Sequence, residues 1–363
     1  MAKKKKKNNR FFGITSRVLM LIVAGLLVVS YGSVFINPAK AWGLSLLGLM
    51  FVPLSIMNMI LLLWALKRLS RSFVIPLLAL LPSFFFIGRY VQTSSEDITP
   101  SGDPTLKIMT YNVGRFALHN EASGVRNRSQ CADSIFAFIR AQKPDIVCLQ
   151  EFRISDVNKV RSYLSRQMND YKADFYLFPS ANGSAFGNVT LSRIPVVGKG
   201  KIKFEESANL AIYTDYRIHD RSFRVYNCHF ESYNISFPGI IRGVLRADKA
   251  VMSETGIKMK RSIIRRPKQV DMVFSDIERC PVESFVCGDF NDNPVSYSYY
   301  RMTKGRKDSF REAGEGFGAT FARLWPLLRI DYLLLPDRFN AIEHHTPRIK
   351  FSDHYPVITT VEL

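Results

Sequence analysis

After the basic opening MAKKKKKNNRFFGITSR, the chain carries no charge from Val18 to Ile36. A second uncharged run covers Trp42 to Leu66, beyond the short NPAKA. A third, interrupted by Pro76 and Pro82, covers Phe73 to Gly88, beyond KRLSRS. About 20 consecutive apolar residues suffice to cross a bilayer as a helix. The pattern therefore predicts a basic N-terminus at 1–17 and a transmembrane region at 18–91 with about three helices. AKA at 39–41 would suit a signal-peptide cleavage site, but the first apolar run exceeds the usual h-region of about 7–15 residues and another follows at once. Lys/Arg bias assigns the N-terminus and KRLSRS to the cytoplasmic face. Three crossings then carry everything downstream to the non-cytoplasmic face, as part of an integral membrane protein; a third segment that only dips into the membrane would leave the domain on the cytoplasmic face instead.

Residues 92–103 are polar and contain Pro and Gly, the composition of a linker. From 104 to 363 the pattern changes to short apolar runs alternating with amphipathic stretches, each run closing on a polar cluster. LKIMTYNV (106–113), PDIVCLQEF (144–152), FRVYNCHFES (223–232), SFVCGDFND (284–292), RIDYLLL (329–335) and DHYPVITTVEL (353–363) read as strands, and FGNVTLSRIPV (186–196) and KIKFEE as strand and turn material. CADSIFAFIRAQ (131–142) and RRPKQVDMVFSDIE (265–278) have helical spacing. Strands with period-two alternation, interleaved with helices, predict two packed sheets with outer helices, an α/β (α+β) class.

The polar residues at these strand ends are Asn112, Glu151, His229, Asp289, Asn291, Asp331, Asp353 and His354. If neighbouring strands share those ends, the groups converge on one rim. A set rich in carboxylate and amide oxygens suits a hard cation, Mg²⁺ with Mn²⁺ as a possible substitute, and disfavours zinc. A hard cation beside an imidazole with a carboxylate partner is equipment for phosphoester hydrolysis. Serine or cysteine nucleophile chemistry has weaker support. There is no G-x-S-x-G elbow, and five cysteines without a C-x-x-C pair give neither a zinc pattern nor a disulfide framework.

In their order, TYNV, DIVCLQE, NCHFES, GDFND, RIDYLLL and SDHYPV resemble the motifs of the endonuclease/exonuclease/phosphatase superfamily, over roughly residues 104–363. The resemblance implies a four-layer α/β sandwich, two central mixed β-sheets flanked by helices, with the site at one edge. It implies Glu151 as principal Mg²⁺ ligand, assisted by Asn112 and, directly or through water, by Asp353. His354 would be the base or phosphate-contacting imidazole, oriented by Asp331. Asp289 and Asn291 would position the nucleophilic water and phosphate oxygens, and His229 would be a second imidazole on the phosphate. Gly114 stands where the abasic-site branch carries Asp, which argues against base-excision repair.

Formal charge is +19, divided into +10 for residues 1–100 (12 basic, 2 acidic) and +9 for the remainder (38 basic, 29 acidic). A basic domain suits a polyanion or an anionic membrane surface. KMKRSIIRRPKQ (258–269) is either a solvated helix face or a phosphate contact, and Arg329 and Asn188 are the candidate substrate-binding residues. The expected activity is metal-dependent hydrolysis of a phosphodiester, with nucleic acid, phospholipid or sugar phosphate as substrate. The alternatives are a phosphomonoesterase and a catalytically inactive, membrane-tethered binding module.

Overall fold

Strands covered on both faces need almost unbroken apolar runs, and this chain supplies them. In the computed structural model, which describes residues 2–93, 104–117, 124–233, 245–246 and 248–363, those runs build two six-stranded mixed sheets. The first sheet has the order β13 (Asn340–His345), β14 (Val357–Glu362), β2 (Thr105–Asn112), β3 (Ile146–Ile154), β5 (Ala185–Ser192), β4 (Lys172–Pro179). The second runs β10 (Arg306–Asp308), β12 (Asp331–Pro336), β9 (Glu283–Asp289), β8 (Arg221–His229), β7 (Leu210–Ile218), β6 (Val196–Lys203). Only β2–β3 and β8–β9 are parallel pairs within these sheets.

Between the sheets lies an apolar layer that includes Ile108, Cys148, Val225, Phe285 and Leu333. The outer face of the first sheet is covered by the helices Arg128–Gln142 and Val160–Gln167, through Phe136, Ile139 and Leu164. Helices Lys249–Glu278 and Tyr297–Met302 cover the second sheet, through Val270, Phe274 and Tyr299. The result is the expected helix, sheet, sheet, helix layering. All five cysteines are free and four are buried.

Element bounds differ from the sequence reading in several places, among them β3, which runs past Glu151 to Ile154. The strand expected from Arg329 begins at Asp331, and the one expected from Asp353 begins at Val357, so Asp353 and His354 sit in the loop before it. The helix expected over 265–278 starts at Lys249, capped by the Asp248 carboxylate on the amides of Ala250 and Val251. It runs through Pro267.

The N-terminal region is helical. Ala2–Tyr31 continues into the turn Gly32–Val34, and its apolar part Ile14–Val34 is long enough to cross a bilayer. The second run is split into Trp42–Leu49 and Phe51–Lys67, bent by 58°. The third is a shorter apolar segment, Arg71–Ile87, assembled from short helical pieces, with Pro76 in the first turn of Val74–Leu80 and Pro82 in the turn that separates it from Phe84–Ile87. These helical segments pack on one another around Val23, Leu27, Tyr31, Phe51 and Phe86. Of the expected linker, Gln92 pairs with Gly316 in a two-stranded ribbon, β1 (Val91–Gln92) with β11 (Gly316–Phe317), and residues 94–103 lie outside the described residues.

Candidate active site

Register brings the strand ends together. Asp331 lies directly opposite Asp289 across β12–β9, and His229 is aligned with Asp289 across the parallel β8–β9 pair. Asn112 ends β2 beside Gln150 of β3, so Glu151 follows at the same rim. A register shift between Leu149 and Phe152 and a left-handed backbone at Glu151 (φ 51) re-aim that carboxylate. Bulges and left-handed non-glycine residues are strained devices that recur beside functional sites. Asn291 has the same conformation (φ 51). Gly288, at φ 133, has no alternative, since a Cβ there would collide with the Cys228 carbonyl.

The side chains form one hydrogen-bonded set. Asn112 donates to Asp289 Oδ2 at 2.9 Å and lies 3.5 Å from Glu151 Oε1. Asn291 also donates to Asp289 Oδ2, at 3.0 Å, while its backbone amide reaches Asp289 Oδ1 at 2.8 Å. His229 Nε2 stands 3.8 Å from both Glu151 and Asp289. His354 Nε2 is 3.9 Å from Asp289, and its Nδ1 is 2.9 Å from Asp331 Oδ2. Among the described residues, Asp289, Asp331 and His354 present potential metal-ligating atoms within 4.8 Å of one another.

Burial decides the electrostatics. It pulls the His229 imidazole below its ordinary value against the opposing pull of Glu151. It acts in the same direction on His354, but Asp331 and Asp289, with the hydrogen bond to Asp331, outweigh it and raise that imidazole to about 10. Burial, reinforced by the neighbouring Asp331, raises Asp289. At this rim, the buried atoms Asp331 Oδ1 and His229 Nε2 find no hydrogen-bond partner among the described residues. Crowded carboxylates with an unsatisfied oxygen and an unsatisfied imidazole nitrogen are what a bound hard cation and a phosphate oxygen would complete, so the donor set fits a divalent metal.

The family model of the endonuclease/exonuclease/phosphatase family matches residues 109–354. The chain belongs to the endonuclease/exonuclease/phosphatase family. Residues 9–90 match a separate domain of unknown function. Similar solved structures of the endonuclease/exonuclease/phosphatase fold include one from Beutenbergia cavernae (21% identity, TM-score 0.52, covering 71% of this chain and 72% of that one). Another is from Bacteroides vulgatus (17%, 0.52, 72% and 99%). A third is D. rerio TDP2 complexed with single strand DNA product (16%, 0.51, 72% and 100%). At these identities the likeness is one of fold. No curated protein sequence matches the chain.

Two residues expected at the substrate are elsewhere. Arg329 is 1% exposed and binds both oxygens of Asp308 at 2.5 and 2.7 Å, beneath the rings of Phe310 and Tyr332. A guanidinium this close to a carboxylate stays with it rather than facing solvent. Asn188 is 0% exposed and donates its amide to the carbonyls of Leu210 and Asn227, tying the two sheets together. Asp353 has its carboxylate 3.9 Å from Arg323, while Glu151 and Asn112 meet as described.

Sequence reasoning did not single out Arg115, Ser352, Thr320 or Phe321. Arg115 Nε pairs with Glu151 Oε2 at 3.0 Å; an Arg within three residues of the TYNV asparagine was its only sequence signal. Ser352 ties the rim together, donating to the Asn112 carbonyl and accepting from the His354 amide. Thr320 Oγ1 accepts from the amides of Ile330 and Asp331, and the Phe321 ring stands edge-on to His354. A cleft of about 270 Å³ opens beside Glu151 and His229, lined also by Arg115, Lys258, Arg261 and Arg265. Those last three come from the basic stretch at 258–269. Arg266 of the same stretch is buried against Asp292 and Tyr233.

Proposed function

We propose that this protein is a membrane-anchored, divalent-metal-dependent hydrolase that cleaves a phosphodiester by in-line attack of an activated water. The observation that carries the reading is the convergence of Asn112, Glu151, His229, Asp289, Asn291, Asp331 and His354 on one buried rim that opens into a basic cleft. Glu151, Asn112 and the neighbouring carboxylates would hold Mg²⁺, or Mn²⁺ in its place. Such an ion, when bound, polarises a phosphoryl oxygen and offsets developing charge.

The remaining work falls to the chain itself. His354, raised by its carboxylate neighbours, offers Nε2–H to a phosphate oxygen while Asp331 fixes the ring through Nδ1. Asp289, whose proton affinity burial and Asp331 raise, is the group suited to take a proton from the attacking water, and Asn291 and Asn112 hold it in place. Burial keeps His229 neutral, leaving Nε2 for a phosphate contact.

The anchor reading rests on the apolar surface of the first 87 residues, where Leu21, Ile22, Ile60, Leu63, Leu78 and Phe85 are exposed. The Arg17 side chain hydrogen-bonds Ser72, so the N-terminal end lies beside the Lys67–Arg71 turn. Ser33, Gly48 and Arg89 are at the opposite end, against the sandwich. Positive charge marks the cytoplasmic end, which leaves the catalytic domain on the other face. Nucleic acid and phospholipid or sugar phosphate are the substrate classes. D. rerio TDP2, of the same fold, is seen with a single strand DNA product, and an anchor favours a lipid held in the same bilayer.

The test is to assay the full chain in lipid vesicles, with Mg²⁺, with Mn²⁺ and with chelator, against plasmid, phospholipid and a phosphomonoester panel. Metal-dependent release from a diester is the expected result. Release from monoesters alone, or none while metal binds, overturns it.

A further inference from the structure

The helical segment does not simply end near the sandwich; it grips the chain just beyond the catalytic carboxylates. Past Asp289 and Asn291, the loop meets the helices three times in succession. Asn293, 2% exposed, donates its amide to the Gly48 carbonyl at 2.9 Å. The Pro294 carbonyl accepts from Arg89 Nη1 at 2.8 Å, and the Val295 carbonyl accepts from Ser33 Oγ at 2.9 Å. The Val295 side chain is fully buried in the core of the helices, with Leu27, Val34 and Phe51. The second carboxylate, Asp331, follows Arg329, whose guanidinium bonds the Arg89 carbonyl at 3.1 Å as well as Asp308.

A third route runs through the ribbon. The Gly318 amide donates to the Tyr90 carbonyl, where β1 leaves the helices. Just beyond, Thr320 holds the Asp331 amide and accepts from Tyr355, and Phe321 bridges to His354. Each member of the Asp289, Asp331 and His354 cluster is thus a short stretch of chain from a helix contact. On its other side the loop is held by the domain itself, with Arg266 on Asp292 and Tyr332 on the Asp292 carbonyl. The helices supply the remaining half of the clamp.

We infer that the N-terminal helices position the catalytic centre, with Ser33, Gly48 and Arg89 as positioning residues for the Asp289–Asn291 loop and the Asp331 strand end. This rests on the phosphoesterase reading of the site. A tether would need none of these buried bonds, because a flexible linker holds a domain at a membrane equally well. Supporting partners that fix ligand carboxylates change metal affinity or turnover by about 10- to 100-fold when lost.

The two glycines of the Trp42–Leu49 helix make the test. A Cβ at Gly48 would meet Ser33 Cβ and the Val295 carbonyl oxygen at 2.7 Å each, whereas one at Gly43 meets nothing within 4 Å. Full-length wild type, Gly48→Ala, Gly43→Ala and Ser33→Ala would be compared in vesicles for Mn²⁺ affinity by calorimetry, for kcat and KM, and for thermal melting. The expected result is Mn²⁺ affinity and kcat reduced by about tenfold or more in Gly48→Ala, a smaller loss in the same direction in Ser33→Ala, KM little changed, and wild-type behaviour in Gly43→Ala. If Gly48→Ala fails to fold, Ser33→Ala, which adds no volume, carries the comparison. Folded variants with wild-type Mn²⁺ affinity and kcat overturn the inference. A wild type that binds Mn²⁺ but cleaves no phosphoester removes the functional reading, while the affinity comparison still decides the positioning. A wild type that binds no Mn²⁺ ends both.

Discussion

His354 Nδ1 lies 2.9 Å from Asp331 Oδ2, and both side chains are sealed from solvent. This one contact sets the ring orientation and raises the charge of the imidazole, so it bears on chemistry and on stability.

For chemistry, His354→Ala should lower turnover by on the order of 10²-fold or more, the usual loss when a preorganised donor to developing negative charge goes. Asp331→Asn keeps the shape but removes the charge, and should lose a similar factor while remaining folded. Steady-state rates on whichever diester the vesicle assay identifies, alongside circular dichroism, decide it; a His354→Ala enzyme at wild-type rate takes the imidazole out of the mechanism.

For stability, the sign follows from the direction of the shift. Burial acts to lower the His354 pKa, but Asp331 and Asp289 raise it from 6.5 to about 10. The folded protein then keeps a proton that the unfolded chain releases. The contribution is fully present below about pH 6.5 and is lost as pH rises through about 10. In chelator, the melting-temperature gap between wild type and His354→Gln should therefore be widest at the acidic end of that window and close toward its alkaline end. A gap that widens with pH contradicts the pairing.

Glu151 pairs with Arg115 and lies close to Asn112 and His229. If it is the principal ligand, Glu151→Gln should raise the Mg²⁺ needed for half-maximal activity by at least the roughly 10- to 100-fold that losing an outer partner costs. A metal titration reads this directly, and an unchanged midpoint assigns the ligand role to the other carboxylates.

Arg329 and Asp308 form a fully buried, doubly hydrogen-bonded pair. Removing one partner strands the other charge, at a cost of about 3–5 kcal/mol. Asp308→Ala should therefore lower the denaturation midpoint sharply, whereas a residue that merely contacted substrate would lower activity at constant stability. Denaturant titration of the full chain separates the two outcomes.

Much of the architecture could be read from the chain because the relevant physics is local. Apolar runs such as YLLL and IVCL, short and bounded by polar clusters, fit buried strands, and a polar residue that closes such a run falls at or near the strand's end. Asn112, His229 and Asp289, which close β2, β8 and β9, were legible for that reason, whereas Glu151 lies inside β3 at its register shift. The apolar stretches of the first 90 residues were legible as helices on the same grounds.

What sequence alone did not contain depends on residues far apart meeting at fixed distances. The Asn112–Asp289 bond spans 177 positions and the Asn293–Gly48 bond 245. The left-handed backbone at Glu151 and Asn291, the shifted register between Leu149 and Phe152, and the retreat of Arg329 and Asn188 into the interior are likewise outcomes of packing. Composition and periodicity state which groups a segment offers, but only the three-dimensional arrangement decides which partner each one finds, because burial penalises a polar atom left without a group to satisfy it.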